Sequence, residues 1–256
     1  MLLSLLLDLE RGEDCWWRRP PALRAFAYAL FHRADPDLAE ALHAGDAPRP
    51  FTLGAWEQAE RVRLRLTALS EAAACALMEA VAELPGGPPL VMGDASITAL
   101  GYAVDEPPYA GVTTYADLAQ SRFQRSVSLR FPAPTTFSHG GEVFIPLPYP
   151  PLMLRSWGRR WNEFAPAELA VPEAVVAGVI SRIALAAARI ETASVSLSPG
   201  RLVGFTGSAT LEAQRPETWL GEERAAFACL TAFSRYSGTG ARTTQGMGVT
   251  LPDGRG

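Results

Sequence analysis

The segment Tyr236–Thr250, YSGTGARTTQGMGVT, carries four glycines spaced G-x-G-x5-G-x-G: Gly238, Gly240, Gly246 and Gly248. It follows a run with helical spacing, Glu217 to Tyr236, and leads into a short apolar run, Met247 to Leu251. Glycine adopts positive φ without a steric penalty and lets another backbone come close. A loop of this kind can turn backbone N–H groups toward a phosphate, with Arg242 as a fixed cationic fork beside them. The same spacing also fits a helix-cap or hairpin loop with no ligand. The order helix, loop, strand sets aside both the P-loop and the dinucleotide fingerprint, which need strand, loop, helix. No lysine follows the glycines, and all 23 basic side chains of the chain are arginines.

The 256 residues allow one large or two small domains, and 48% hydrophobic with 20% charged residues is a globular composition. A net charge of −4 argues against broad, sequence-blind nucleic-acid binding, which calls for a basic domain, and leaves room for a local basic groove. Cys15, Cys75 and Cys229 show neither zinc spacing nor an even disulfide framework, as expected of reduced thiols in a cytoplasmic protein. The N-terminal run Leu2 to Leu9 includes Asp8 and is followed by Glu10, so it reads as a buried strand rather than a signal peptide. No run approaches the roughly 18 to 20 apolar residues of a membrane span, and no membrane partner is expected.

Working back along the chain, Pro20 and Pro21 open a helix, Ala22 to Arg33. Asp35-Pro36 starts a second, Pro36 to Leu42, with Gly45 as its expected C-cap. Pro48 to Gly54 reads as a loop. Arg61 to Leu69 alternates Arg61, Arg63 and Arg65 with Val62, Leu64 and Leu66, a strand with one apolar and one arginine face. That arginine face is either solvated or a basic rail for a phosphate backbone. Ser70 caps a helix from Glu71 to Leu84. One or two strands follow over Leu90 to Val104, then a connecting segment from Tyr109 to Gln120, and a strand from Val127 to Phe131. The second half reads as a glycine turn at Gly140-Gly141, a helix from Leu152 to Phe164 exposing Arg155, Arg159 and Arg160, and a helical turn over Pro172 to Ser181. Two strands, Ala184 to Leu197 and Leu202 to Ala213, then flank a Pro199-Gly200 turn before the amphipathic run into the glycine loop.

Three histidines are present: His32, His43 and His139. His43 closes the second expected helix, Tyr28 lies on the helix before it, and Arg49 follows six residues later. A helix-turn-helix brings Tyr28 near His43. Histidine, tyrosine and arginine together suit cleavage of RNA by its own 2′-hydroxyl. That reaction needs a base, an acid for the leaving 5′-oxygen, and a cation on the phosphate. It needs no metal, and the sequence shows no metal-ligand cluster and no cofactor motif. The alternative is a histidine that merely complements the helix dipole. His32 reads as a solvated or capping histidine, and His139 precedes a turn without a partner pattern. Ser-His-Asp hydrolysis has no support, since no nucleophile elbow G-x-S-x-G is present.

Three separate segments resemble one family, the CRISPR-associated endoribonucleases of the sixth numbered Cas family, within the RAMP superfamily. GTGARTTQGMG, Gly238 to Gly248, matches the family's glycine-rich loop at all four glycines. LRAFAYALFHRADPDLAEALHAGDAPRPFTLG, Leu23 to Gly54, matches the helical region holding the family's general base, and PAPTTF, Pro132 to Phe137, its step between two halves.

The resemblance implies an α+β fold of two tandem ferredoxin-like (RRM-like) βαββαβ domains with a C-terminal glycine-rich loop. Residues 1–132 would carry the catalytic histidine and residues 133–256 the loop. It implies catalytic roles for His43, Tyr28 and Arg49. Arg49 stands where some members carry lysine, and an arginine holds a phosphate but does not serve as a base. Gly238, Gly240, Arg242, Gly246 and Gly248 would bind RNA, with Arg159 and Arg160 lining a basic groove or forming a plain solvated helix face. The implied partners are CRISPR repeat RNA and crRNA, and subunits of a CRISPR effector complex. The implied reaction is metal-independent and cofactor-free, leaving a 2′,3′-cyclic phosphate. The alternative within the same resemblance is a non-cleaving RNA-binding subunit. Apolar surface around Trp16 and Trp17 suggests a homodimer.

Overall fold

The computed structural model describes residues 1–12, 15–44, 48–141, 143–197 and 200–253. Gly45, and Pro199 of the expected turn, lie outside them, as does the side chain of His139.

The first unit runs β1 (Leu2–Glu10), α1 (Pro20–Ala34), α2 (Pro36–Ala44), β2 (Phe51–Gln58), β3 (Arg61–Ala68), α3 (Glu71–Ala82), a small hairpin of β4 (Leu90–Met92) and β5 (Ala95–Ile97), then β6 (Ala99–Ala103), β7 (Gly111–Thr113) and α4 (Tyr115–Ala119). Its sheet has the order β2-β3-β1-β6. Along the free edge of β1, β6 pairs with Leu6 to Leu9 and β7 with Leu2 to Ser4, so together they fill the fourth strand position. The caps follow the sequence: Asp35 accepts from the Leu38 amide at 2.9 Å, and Ser70 from the Ala73 amide at 3.3 Å.

The second unit runs β8 (Ser126–Thr135), a hairpin of β9 (Phe137–His139) and β10 (Val143–Ile145), α5 (Pro150–Phe164), α6 (Glu173–Ile180), the long pair β11 (Ile183–Ser196) and β12 (Arg201–Ala213), α7 (Gly221–Ser237) and β13 (Leu251–Pro252). Its sheet order is β11-β12-β8-β13. Both antiparallel sheets therefore share one strand order, second-third-first-fourth, and the fold is the tandem ferredoxin-like arrangement. The expected division at 132/133 falls inside β8, whose neighbours β12 and β13 both belong to the second sheet.

Leu3, Leu5, Leu7 and Leu9 of β1 pack with Phe26, Leu30 and Phe31 of α1 and Leu77 and Val81 of α3 in one core. The second core, around Trp157, Trp161, Phe205, Phe227 and Phe233, also takes in Leu2, Leu69, Tyr115 and Leu118 from the first unit. Trp16 and Trp17 are buried in the first core, with Trp16 tilted against Phe26 at 5.1 Å. They do not form the apolar surface on which the expectation of a homodimer rested.

Three further expectations are corrected. Phe51 to Gly54 is strand, not loop: Gly54 in β2 is a point of close approach, where a Cβ would lie 2.3 Å from Val249 Cγ2. The helix before the glycine loop starts at Gly221, because Glu217 lies in a short 3-10 turn and Trp219 and Leu220 are extended. The final strand is only Leu251–Pro252, since Met247 to Thr250 is buried as irregular chain.

Candidate active site

The polar face of β3 is an inter-unit seam rather than a rail. Arg65 is 1% exposed, and its guanidinium donates to the carbonyls of Tyr109 (2.7 Å) and Arg235 (2.7 Å). Thr67 donates to the Tyr236 carbonyl at 2.7 Å, and Thr52 and Thr67 hydroxyls meet at 2.6 Å. These groups satisfy carbonyls at the C-terminal end of α7, where helical partners run out. Burial first, then the Arg235 charge, pulls the Arg65 pKa down to about 9. Arg63 is spent differently, on Asp8 at 2.8 Å and on both oxygens of Glu106 at 2.7 and 2.8 Å. The hydrogen bond to Glu106 is the main force raising its pKa.

From this anchored helix end the chain enters the glycine loop. Gly238, Gly240, Gly246 and Gly248 all have positive φ, at 65°, 81°, 85° and 71°. A Cβ on Gly240 would lie 2.2 Å from the Thr136 carbonyl oxygen, and one on Gly248 2.3 Å from that of Thr239. The loop amides turn largely inward: Gly240 N–H donates to Ser156 Oγ, Ala241 N–H to the Thr136 carbonyl, and Gly248 N–H to the Pro134 carbonyl. The glycines therefore allow tight packing among β8, α5 and the loop itself. Gly246 also abuts Leu23 of α1, which seats the loop on the first unit. Arg242 stands exposed on the loop in a left-handed conformation, φ 61°.

Tyr28, His43 and Arg49 converge on the C-terminal turn of α2. The Tyr28 hydroxyl donates to the Leu42 carbonyl at 3.1 Å, and its ring meets the His43 ring edge-on at 5.2 Å. Arg49 Nε donates to the same Leu42 carbonyl at 3.1 Å, and its Nη2 to the His43 carbonyl at 3.4 Å. Two side chains from two segments, Tyr28 and Arg49, are thus tied to carbonyls of the α2 end, and the His43 ring packs on Tyr28. His43 is left exposed beside a surface cleft lined by His32, Asp37 and Glu40. Arg24, one turn before Tyr28, places its guanidinium 5.4 Å from the Tyr28 ring centroid. It was missed in the sequence, where its i, i+4 spacing to Tyr28 was the available signal. This grouping offers an imidazole, a phenol and two guanidiniums at an open surface, the donors and acceptors of general acid–base chemistry on a phosphodiester.

Arg159 and Arg160 part company. Arg159 is exposed and, with Arg155, Ser156, Phe137, Ser138 and Gly240, lines a cleft of 320 Å³ between α5, the β9–β10 hairpin and the glycine loop. Arg160 is 9% exposed and faces inward, contrary to the expected exposed row. Met153, Trp157 and Phe164 lie seven, three and four residues from it, so it sits on the apolar stripe of α5. Among the described residues no group of three or more His, Cys, Asp or Glu could hold a metal, and no helix is long and apolar enough to cross a membrane.

A family model described as CRISPR-associated endoribonuclease Cas6 matches residues 129–250, a span that includes β8, α5 and the glycine loop. A Mycobacterium tuberculosis CRISPR-associated endoribonuclease Cas6 is 29% identical over 125 residues, 49% of this chain and 38% of that protein. The match thus spans well under half the length of that relative. Two solved Cas6 product complexes align along the whole chain. TTHB231, from Thermus thermophilus, superposes with TM-score 0.85 at 26% identity, covering 99% of this chain and 100% of its own. TTHA0078 superposes with TM-score 0.84 at 30% identity, covering 98% of this chain and 99% of its own. With the two-unit topology, the loop and the whole-length match at 30% identity in agreement, the chain belongs to the Cas6 family of CRISPR-associated endoribonucleases.

Proposed function

We propose that this protein cleaves CRISPR precursor RNA within its repeats, in the cytoplasm and without a metal, to give guide crRNAs. The observation that carries this reading is that Tyr28 and Arg49 are fixed on the Leu42 and His43 carbonyls while the Tyr28 ring packs against the His43 imidazole. In the proposed reaction the 2′-oxygen bonds to the adjacent phosphorus and the bond from phosphorus to the 5′-oxygen breaks. One proton leaves the 2′-hydroxyl for a base, and one arrives at the 5′-oxygen from an acid. The products are a 2′,3′-cyclic phosphate and a 5′-hydroxyl, and no water is consumed.

His43 serves as base or acid, being the exposed imidazole of the cluster. Tyr28 orients the His43 ring and is the second candidate acid. Arg49 neutralises the phosphate as its charge grows in the transition state. Arg242 and Arg159 hold the RNA backbone, Arg242 from a loop whose shape the four glycines permit. Arg160 is reassigned from RNA contact to the interior. The solved relatives include a Cas6 product complex and a Cas6 substrate mimic complex, which supports an RNA-sized ligand on this scaffold. Effector-complex subunits are the further partners this reading would supply with crRNA.

The test is single-turnover cleavage of cognate repeat RNA by the wild type, Tyr28→Phe and Arg49→Ala. The reading predicts losses of about 10-fold or more for Arg49→Ala, the scale of one lost transition-state contact. Full activity of both variants would move the chemistry away from this cluster.

A further inference from the structure

Arg160 reaches across the boundary between the two halves of the site. Its Nη2 donates to the Arg49 carbonyl at 3.1 Å, and its Nη1 to Thr243 Oγ1 at 3.2 Å. Arg49 precedes β2 in the first unit, Arg160 lies on α5 in the second, and Thr243 is one residue past Arg242 in the glycine loop. The guanidinium is nine-tenths buried, lies 5.9 Å from the Phe164 ring centroid, and has no carboxylate partner among the described residues. Burial lowers its pKa to about 10, with the Arg159 charge adding to the effect. Its Nε finds no hydrogen-bond partner among the described residues. Burying such a group costs free energy, and a structural filler on an apolar stripe would be served better by leucine or methionine. The return on that cost lies in where its two arms end.

We propose that Arg160 is a positioning residue that holds the Arg49 segment in register with the glycine loop, so that RNA seated on the loop meets Arg49 and His43 in reacting geometry. The inference rests on the proposed cleavage reading for its catalytic consequence, and on the two hydrogen bonds for its structural one. Arginine is required because two acceptors on separate segments are met by one planar fork. Lysine carries its three donors on one nitrogen and lacks the spaced pair of N–H groups that a guanidinium holds in one plane.

The test compares wild type, Arg160→Met, Arg160→Lys and Thr243→Val. Amide hydrogen exchange over residues 48–53 and 239–246 should quicken in Arg160→Met, with α3 and α7 unchanged. Single-turnover cleavage of repeat RNA should fall about 10-fold or more, while affinity for a copy carrying 2′-deoxy at the cut site stays within about 3-fold. Arg160→Lys and Thr243→Val should show smaller changes of the same kind. In an Arg49→Ala background, Arg160→Met should slow cleavage much less than in wild type, because the two act through one step. Unchanged exchange at 48–53 would overturn the proposal, whatever the cleavage result. Equal losses of affinity and rate would also overturn it, by making Arg160 an RNA contact. If the wild type does not cleave while exchange responds as expected, the positioning role stands and the cleavage reading falls.

Discussion

At the residue scale, conformation and charge can be separated within the glycine loop. Arg242 is a non-glycine residue at φ 61°, a conformation that costs a side chain about 1 kcal/mol relative to glycine. Arg242→Gly should therefore leave the melting temperature unchanged or slightly raised, while RNA affinity falls and the slope of log K against log salt shrinks by about one contact. An unchanged salt slope would remove Arg242 from the RNA interface. Gly240→Ala should behave in the opposite way. Its Cβ would meet the Thr136 carbonyl, and backbone on both sides must shift, so a loss well above 1 kcal/mol is expected in denaturant unfolding. Glu106 supplies the pH-dependent case. Its hydrogen bonds to Arg63 hold its pKa below the ordinary carboxylate value. The pair's stabilisation is present above the unfolded-state pKa and is lost as pH falls through the folded one. Both groups are near the surface, so the energy is small. Arg63→Leu should return the Glu106 carboxyl titration, followed by NMR, upward to the ordinary range, and an unmoved titration would show that the pair is not formed in solution.

At the scale of elements, the legible signals were local ones. Capping at Asp35 and Ser70, the apolar runs of β1 and β3, and the glycine spacing all follow from near neighbours in the chain. The errors come from distant packing. Phe51 to Gly54 follows Pro50 and ends in Gly54, which read as loop punctuation, yet Gly54 is required in the strand because Val249 lies over it. Arg65 alternates correctly onto the face opposite Leu64 and Leu66, but that face is covered by the end of α7, about 170 residues away in sequence. The convergence of Tyr28, His43 and Arg49 was legible because helix, turn and helix are adjacent in the chain. Arg160 could have been read from its place in the Trp157–Trp161 stripe. The same seam predicts that Thr67→Val, which leaves the Tyr236 carbonyl short of its 2.7 Å donor, costs about 1 kcal/mol or slightly more. A neutral substitution would mean that Thr52, 3.4 Å away, alone serves the Tyr236 carbonyl.

At the scale of the whole molecule, the two ferredoxin-like units are not independent bodies. Leu2, Leu69, Tyr115 and Leu118 of the first belong to the core of the second, and Arg65, Thr67 and Arg160 bind carbonyl or hydroxyl groups across the seam. Coincident unfolding transitions are expected from probes in each unit, and two separated transitions would show that the seam does not couple them. This coupling places the glycine loop of one unit and the Tyr28, His43 and Arg49 cluster of the other on one frame. Whether His43 serves cleavage by the RNA's own 2′-hydroxyl is decided by cleavage assays in EDTA. Wild type and His43→Ala are each incubated with the cognate repeat RNA and with a copy carrying 2′-deoxy at the cut site. Cleavage is expected only by the wild type and only of the all-ribose RNA, with a cyclic phosphate on the product. Equal cleavage by His43→Ala, or any cleavage of the deoxy copy at that site, would contradict it.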